Sequence, residues 1–174
     1  IRRTLMTRRA QVEAMRAVAY VTSAAMDNAH RHPDAEARKR HQAFVDFMIP
    51  IVKGCSTETA QEVASLGIQV HGGMGFIEEA GAAQHFRDAR ITTIYEGTTG
   101  IQANDFIGRK TARDGGAMAR VVAQEIETVA SESGTTIISR FLARAWFSNC
   151  PPHSTWYPEG IETFARTSFC ASAT

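Results

Sequence analysis

The first part of the chain has a helical pattern of apolar and polar residues. From Ile1 to about His30, apolar residues recur at spacings of three, four and seven, as on one face of a helix. Pro33 disfavours helical backbone at His32, and the Asp34 side chain can accept a hydrogen bond from a free backbone N–H. The sequence therefore predicts one helix up to about His30 and a second helix capped by Asp34.

The second helical pattern continues as far as a group of glycines. Pro50 lies inside it and lacks a backbone donor, so we expect a kink or a split there. The sequence Gly72-Gly73-Met74-Gly75 ends the pattern, because glycine makes helical backbone costly. A long second helix with a defect at Pro50 is therefore predicted.

Shorter helices are predicted after these glycines. Glu79–Arg90 has the pattern of a short polar helix, and Thr98 or Thr99 can cap another. Gly115-Gly116 precedes a last amphipathic series that ends near Ser133. No useful alternation with a period of two residues occurs before that point. Helices joined by short turns are typical of an antiparallel bundle, so the predicted fold class is all-α.

The composition is that of an ordinary globular domain. The 174 residues are 44% hydrophobic and 21% charged, with a net charge of +1, which argues against a dedicated nucleic-acid binder. No apolar run is long enough for a membrane span, and the first residues show no signal peptide. The three cysteines form no CxxC pair and the histidines have no ligand-like spacing, so we expect no metal site and a cytoplasmic location.

The character of the sequence changes after Gly134. Residues 134–174 contain both tryptophans, three of the five prolines and no lysine. They have neither a helical nor a strand period, which fits an extension packed on a partner, an irregular tail or a segment read in an altered frame. We favour the altered frame and divide the chain into a helical domain, residues 1–133, and this tail.

Two short stretches contain candidate ligand-binding or catalytic residues. The glycines within Gln69–Phe76 would let the backbone approach a ligand, but they close a helix, which excludes a dinucleotide fingerprint of the Rossmann type. The alternative is an ordinary helix end with left-handed glycines. Glu96 follows Ile94-Tyr95, and in a cavity its carboxylate would lose solvation and become a stronger base. Taken alone, Glu96 is better explained as a surface acid, and Arg87-Asp88-Ala89-Arg90 as an ion-pair cluster.

The two stretches together have a more specific meaning. Gln69–Phe76, then Arg87–Arg90, then Ile94-Tyr95-Glu96-Gly97-Thr98 closely resemble the signature of the acyl-CoA dehydrogenases, including the 27-residue step from Gln69 to Glu96. The resemblance covers about residues 1–130 and is to the C-terminal helical domain of that flavoprotein family. Within the family it is strongest to the larger bacterial branch that includes 3-methylmercaptopropionyl-CoA dehydrogenase.

The resemblance implies a catalytic role for Glu96. In the family, a glutamate removes the α-proton of an acyl-CoA thioester while the β-hydrogen leaves as hydride to N5 of FAD. Glu96 would be that base, and its backbone N–H, together with a flavin ribityl hydroxyl, would polarise the thioester carbonyl. Tyr95 and Gly97 would contact the substrate. FAD would be contacted by Thr98 and Gly100 and, from a neighbouring subunit, by Gln69, Val70, His71, Gly72 and Gly73.

The resemblance also implies further domains, further subunits and a partner protein. The family's N-terminal helical domain and middle β-domain are missing, so the chain is expected to be a fragment that is inactive alone. The parent would be a homo-oligomer, a dimer or tetramer, that passes electrons to an electron-transfer flavoprotein. The alternative is a non-catalytic helical assembly module whose glycines are only turns.

Overall fold

The computed structural model describes residues 1–132, which form helices and turns with no strand among them. This confirms the all-α class, whereas the predicted tail, residues 134–174, lies outside the described residues. The elements in chain order are α1 (Arg2–Arg31), α2 (Ala35–His71), α3 (Gly73–Phe76), a 3₁₀ turn (Glu78–Ala80), α4 (Ala82–Thr92), α5 (Thr99–Asn104), a π-helical segment (Asp105–Thr111) and α6 (Ala117–Glu132).

The turn between α1 and α2 forms as the sequence predicts. Helix α1 ends at Arg31, and the carboxylate of Asp34 accepts hydrogen bonds from the N–H groups of Glu36 and Ala37, both at 3.1 Å. These bonds satisfy two of the backbone donors that a helix start leaves free. The short turn allows α1 to fold back along α2.

Helix α2 is the central element of the bundle. Helix α1 packs antiparallel to it, and Gln11 Nε2 donates a hydrogen bond to Glu62 Oε2 at 3.1 Å. After α3 the chain returns along α2, where Gln61 Nε2 donates to the carbonyl of Phe86 at 3.3 Å. Farther along, the ring centroids of Phe47 and Phe106 lie 5.0 Å apart. Helix α2 thus contacts α3, α4, α5 and the π-helical segment and determines their positions.

The sequence predicts a kink or a split at Pro50, and α2 does not split there. The helix runs without a break from Ala35 to His71, and Pro50 is buried inside it. Proline removes one backbone hydrogen bond, but α2 packs against α1, α4 and α5. Tertiary packing therefore overrides the local cost that the sequence suggested.

The described helices leave much of their apolar surface exposed. Their buried apolar side chains are few and mostly small: Ala25, Ala37, Val45, Phe47 and Ala83. Large apolar residues remain exposed on several elements, for example Met6, Tyr20, Met74 and Phe76, the last with 79% of its surface accessible. No helix in this part of the chain is both long enough and apolar enough to cross a membrane.

The cap at Asp34 leads to a prediction about pH. Its hydrogen bonds, chiefly the one from the Glu36 N–H, hold the pKa of Asp34 below its ordinary value of 3.8. Because the carboxylate is stabilised in the folded state, its contribution is complete above that value and is lost as the pH falls through the lowered pKa. We expect Asp34→Ala to lower the free energy of unfolding at pH 7 and to have a smaller effect near pH 2.

Denaturant titration of both proteins at each pH measures this difference. Asp27→Ala is the control, because Asp27 is exposed near the C-terminal end of α1, where the helix dipole does not favour a negative charge. An equal loss of stability for Asp34→Ala at both pH values would contradict the capping role.

Candidate functional site

The candidate base lies in the turn between α4 and α5. Helix α4 ends at Thr92, and the N–H of Thr99 donates back to the carbonyl of Thr93 at 3.3 Å, which closes the turn. Thr98 caps α5 by accepting a hydrogen bond from the N–H of Ile101 at 3.3 Å. We call residues 93–98 the Glu96 turn. The prediction that Thr98 or Thr99 begins a helix is confirmed, with Thr98 as the cap.

Glu96 has an unusual backbone conformation. Its φ is 51°, and it is the single non-glycine residue with positive φ among residues 1–132. Left-handed backbone costs a residue with a Cβ about 1–2 kcal/mol, so surrounding contacts must hold it. The side chain of Glu96 is exposed at the surface of the described residues.

Lys53 of α2 holds the Glu96 turn. Its Nζ donates hydrogen bonds to the carbonyl oxygens of Thr92 at 3.4 Å, of Tyr95 at 3.0 Å, and of Gly97. The ammonium also lies 5.9 Å from the centroid of the Tyr95 ring, within the range of a cation–π contact. An ammonium has three N–H donors, and here each has a backbone acceptor.

Lys53 lies outside the sequence motifs that indicate the site. A signal was present, since this lysine follows the apolar residues Ile51 and Val52 and has no acidic residue three or four positions away on its helix. A lysine in such a place has no local ion-pair partner and needs acceptors from elsewhere in the fold. Only the tertiary structure identifies those acceptors as the carbonyls of Thr92, Tyr95 and Gly97.

Two further contacts, which the sequence motifs do not indicate either, hold the end of the turn at α5. Glu58 of α2 accepts a hydrogen bond from the Thr99 hydroxyl at 2.5 Å. The side chain of Gln102 lies against Gly97, where an added Cβ would be 2.6 Å from Gln102 Nε2. Gly97 has φ 99°, so both its conformation and its surroundings favour glycine.

The glycine-rich stretch lies at the C-terminal end of α2. Helix α2 ends at His71, and Gly72 follows with a left-handed φ of 62°. Gly73 begins the short helix α3, and Gly75 packs so closely on α2 that an added Cβ would collide with the carbonyl of Ile68. In contrast, a Cβ at Gly72 or Gly73 would meet nothing within 4 Å. The stretch combines a close internal contact at Gly75 with open backbone at Gly72 and Gly73.

The structure places the predicted site residues in two separate groups. One consists of Gln69, Val70, His71, Gly72 and Gly73 at the end of α2. The other consists of Tyr95, Glu96, Gly97, Thr98 and Gly100, which lie against the middle of α2 through Lys53 and Glu58. With a rise of 1.5 Å per residue, the 16 residues from Lys53 to Gln69 span about 24 Å. Within one chain, the two groups cannot surround the same reacting atoms.

A groove of about 720 Å³ lies between α1, α2 and residues 80–85. Its lining includes Met15, Val63 and His71 but no residue of the Glu96 turn. Among the described residues, no group of three or more histidine, cysteine or acidic side chains could hold a metal ion. The groove thus reaches the glycine end of α2 and not the candidate base.

The charged residues of α4 are arranged differently from the predicted ion-pair cluster. Arg87 pairs with Glu78 at 3.4 Å, whereas Asp88 accepts a hydrogen bond from Gln84 at 2.6 Å. Arg90 donates to the hydroxyl of the buried Thr93 at the start of the Glu96 turn. These residues do not pair with one another, because consecutive positions on a helix point in different directions.

Comparison with known families identifies the chain. Residues 1–110, which include both groups of predicted site residues, match the model of the acyl-CoA dehydrogenase C-terminal domain. The chain belongs to the acyl-CoA dehydrogenase family. This confirms the resemblance that the sequence motifs indicated. The named members of the family are acyl-CoA dehydrogenases, which are oxidoreductases.

Several curated members of the acyl-CoA dehydrogenase family are similar in sequence to this chain over most of its length. The chain is 54% identical over 132 residues to 3-methylmercaptopropionyl-CoA dehydrogenase of Ruegeria pomeroyi, covering 76% of the chain and 22% of the relative. It is 40% identical over 136 residues to the broad-specificity linear acyl-CoA dehydrogenase FadE5 of Mycobacterium tuberculosis, covering 77% and 22%. A butyryl-CoA dehydrogenase of Syntrophomonas wolfei is 34% identical over 142 residues, covering 81% and 23%. The chain therefore spans less than a quarter of the length of these relatives.

The geometry at Gly97 leads to a prediction about stability. Gly97→Ala should lower the free energy of unfolding by about 1–2 kcal/mol, because alanine is strained at positive φ and its Cβ would displace Gln102. Gly108→Ala is the control, since a Cβ there meets nothing within 4 Å and the position has no positive φ. Denaturant titration of the 174-residue chain measures both, and equal stabilities would contradict the structure of the turn.

Proposed function

We propose that this chain is the C-terminal helical domain of a longer FAD-dependent acyl-CoA dehydrogenase, in which Glu96 removes the α-proton of an acyl-CoA thioester. The proposal depends on one observation. Glu96 is exposed and has left-handed backbone, its neighbours are held by hydrogen bonds from Lys53, and it lies inside the segment that matches the family. A carboxylate held at the surface by a costly backbone conformation is better explained by a role toward a ligand than by the stability of this domain.

The groups on the Glu96 turn suit this proton transfer. The carboxylate of Glu96 has no hydrogen-bond or ion-pair partner in the described part of the chain, so it is free to accept a proton. The N–H of Glu96 likewise has no acceptor there, although the neighbouring N–H of Tyr95 donates to Ile91 at 3.1 Å. A free N–H beside the base can donate to the thioester oxygen and so increase the acidity of the α C–H. Tyr95 and Gly97, on either side of Glu96, would contact the thioester.

The glycine end of α2 fits a flavin. Gln69, His71, Gly72 and Gly73 are exposed, and the empty space beside the two glycines would let a ligand lie directly against the backbone. Bound FAD would supply the acceptor for the β-hydride. Because this end lies about 24 Å along α2 from Lys53, the same chain would contribute Thr98 and Gly100 to one FAD and Gln69–Gly73 to that of a neighbouring subunit.

The exposed surface of the described helices fits an enzyme with further domains and subunits. The exposed apolar residues of the described helices are available for contact with the missing domains and with further subunits of a dimer or tetramer. The relatives are named for acyl-CoA substrates, and a CoA thioester is the substrate class proposed here. Electrons would pass to an electron-transfer flavoprotein in the cytoplasm.

The role of Glu96 is tested in the full-length parent enzyme. Glu96→Gln keeps the size of the side chain but cannot take up the proton, so acyl-CoA-dependent flavin reduction should slow by about 10²- to 10⁴-fold or more. FAD content should stay unchanged. The control is Glu79→Gln, an exposed acid on the 3₁₀ turn outside both groups. Stopped-flow absorbance measures the rate, and an unchanged rate for Glu96→Gln would reject Glu96 as the base.

The flavin contact is tested at Gly73. Within this chain a Cβ at Gly73 meets nothing, so Gly73→Ala should leave the thermal unfolding of the 174-residue chain nearly unchanged. In the parent enzyme the same change should reduce the FAD retained after gel filtration, because the new methyl group would occupy the space of the ligand. Gly108→Ala serves again as the control. Full retention by Gly73→Ala, or a parent that binds no FAD at all, would favour the helical assembly module.

A further inference from the structure

We propose that Lys53 is a positioning residue for Glu96, holding its backbone in the left-handed conformation from which the carboxylate acts. The inference rests on the proposed function for its catalytic consequence. Its structural part, that Lys53 determines the conformation of the Glu96 turn, stands on the contacts of the described residues alone.

The acceptors of Lys53 lie on both sides of Glu96. The carbonyl of Tyr95 belongs to the peptide unit that precedes Glu96, and the carbonyl of Gly97 belongs to the residue that follows it. The third acceptor, the carbonyl of Thr92, lies at the end of α4. One ammonium thus ties both sides of the turn to α2, which restricts the backbone angles at Glu96 and leaves its side chain free.

Among the described residues, the other contacts of the turn do not bind the carbonyls of Tyr95 and Gly97. The Thr99 N–H donates to the carbonyl of Thr93 and closes the turn, and the Thr99 hydroxyl holds the end that leads into α5 through Glu58. Gln102 only fills the space beside Gly97. In the described residues, Lys53 is the one side chain whose donors reach carbonyls both before and after Glu96. The cost of positive φ at Glu96 is therefore offset chiefly by these charge-assisted hydrogen bonds.

Lys53 does not act as the counter-ion of the base. No ion pair joins it to Glu96 in residues 1–132, and its three N–H donors are occupied by carbonyls. A direct ion pair would favour the charged carboxylate and weaken it as a proton acceptor. By binding the backbone instead, the lysine fixes the position of the carboxylate without neutralising it.

A structural test uses the 174-residue chain and needs no cofactor. Lys53→Met keeps the length of the side chain but removes its donors. The backbone amides of residues 92–100 should therefore exchange with solvent about tenfold faster or more. Tyr95 and Thr99 are the reporters, because their N–H groups are hydrogen-bonded within this region. Lys39→Met is the matched control, since Lys39 also lies on α2 and pairs only with the exposed Glu36 at 2.9 Å.

Hydrogen exchange measured by mass spectrometry or NMR resolves this effect by segment. Faster exchange confined to residues 92–100 in Lys53→Met, with none in Lys39→Met, supports the inference. Unchanged exchange at residues 92–100 overturns it. If Lys53→Met loosens α1 and α2 as well, Lys53→Arg is measured in its place. Arginine keeps the charge, but its planar donors do not match three converging carbonyls, so the absence of a local effect in that variant also overturns the inference.

The catalytic consequence is tested in the full-length parent enzyme. At saturating acyl-CoA, Lys53→Met should slow flavin reduction by about 10²-fold, comparable with the loss of a correctly placed general base. The Kd for acyl-CoA and the FAD content should change much less than the rate, because the turn supplies only part of each proposed binding site whereas the proton transfer depends on the exact position of the Glu96 carboxylate. Lys53→Arg should restore part of the rate, and Lys39→Met should equal the unmodified enzyme.

The outcomes separate this inference from the proposed function. If Glu96→Gln leaves flavin reduction intact, the proposed function fails, and hydrogen exchange still decides whether Lys53 holds the turn. If Glu96→Gln abolishes flavin reduction while Lys53→Met leaves it unchanged, the role of Glu96 stands and the positioning role of Lys53 is rejected. A rise in the Kd for acyl-CoA with no change in the limiting rate likewise rejects positioning.

Discussion

The packing of the bundle against α2 is the constraint on which the rest of the structure depends. Helix α1 covers one face of α2, and the chain from α4 to the π-helical segment returns along another. The elements after α3 are short, so few of them would be stable as isolated helices in water. Their positions are set by contacts to α2, such as the hydrogen bond from Gln61 to Phe86 and the packing of Phe47 on Phe106. The site is consequently built from one long helix and the segments that it holds.

This arrangement separates the two groups of candidate site residues along α2. The Glu96 turn is attached near the middle of α2, whereas the open glycines lie at its C-terminal end. The candidate base Glu96 and many large apolar side chains are exposed on the described helices and turns. Such surfaces are characteristic of a domain that functions within a larger assembly. The match to less than a quarter of each relative agrees with this interpretation.

Much of the fold follows from local sequence signals, and the exceptions have physical causes. Asp34 and Thr98 cap helices where predicted, because capping depends on a side chain and the backbone within three residues of it. Pro50 does not split α2, because packing along the whole helix outweighs one missing hydrogen bond. The predicted cluster at Arg87 and Asp88 has other partners, since a run of charges does not specify which residues will lie opposite to it.

The sequence by itself determined the helical class, the caps, the family resemblance and the identity of the candidate residues, because these depend on periodicity and on short motifs. Only the tertiary structure decided that Glu96 has left-handed backbone and that Lys53, more than 40 residues earlier, binds the carbonyls on either side of it. It also decided that the glycine stretch and the candidate base lie apart along α2. These are relations between residues distant in the chain, and they arise only when the long helix brings the other elements to its sides.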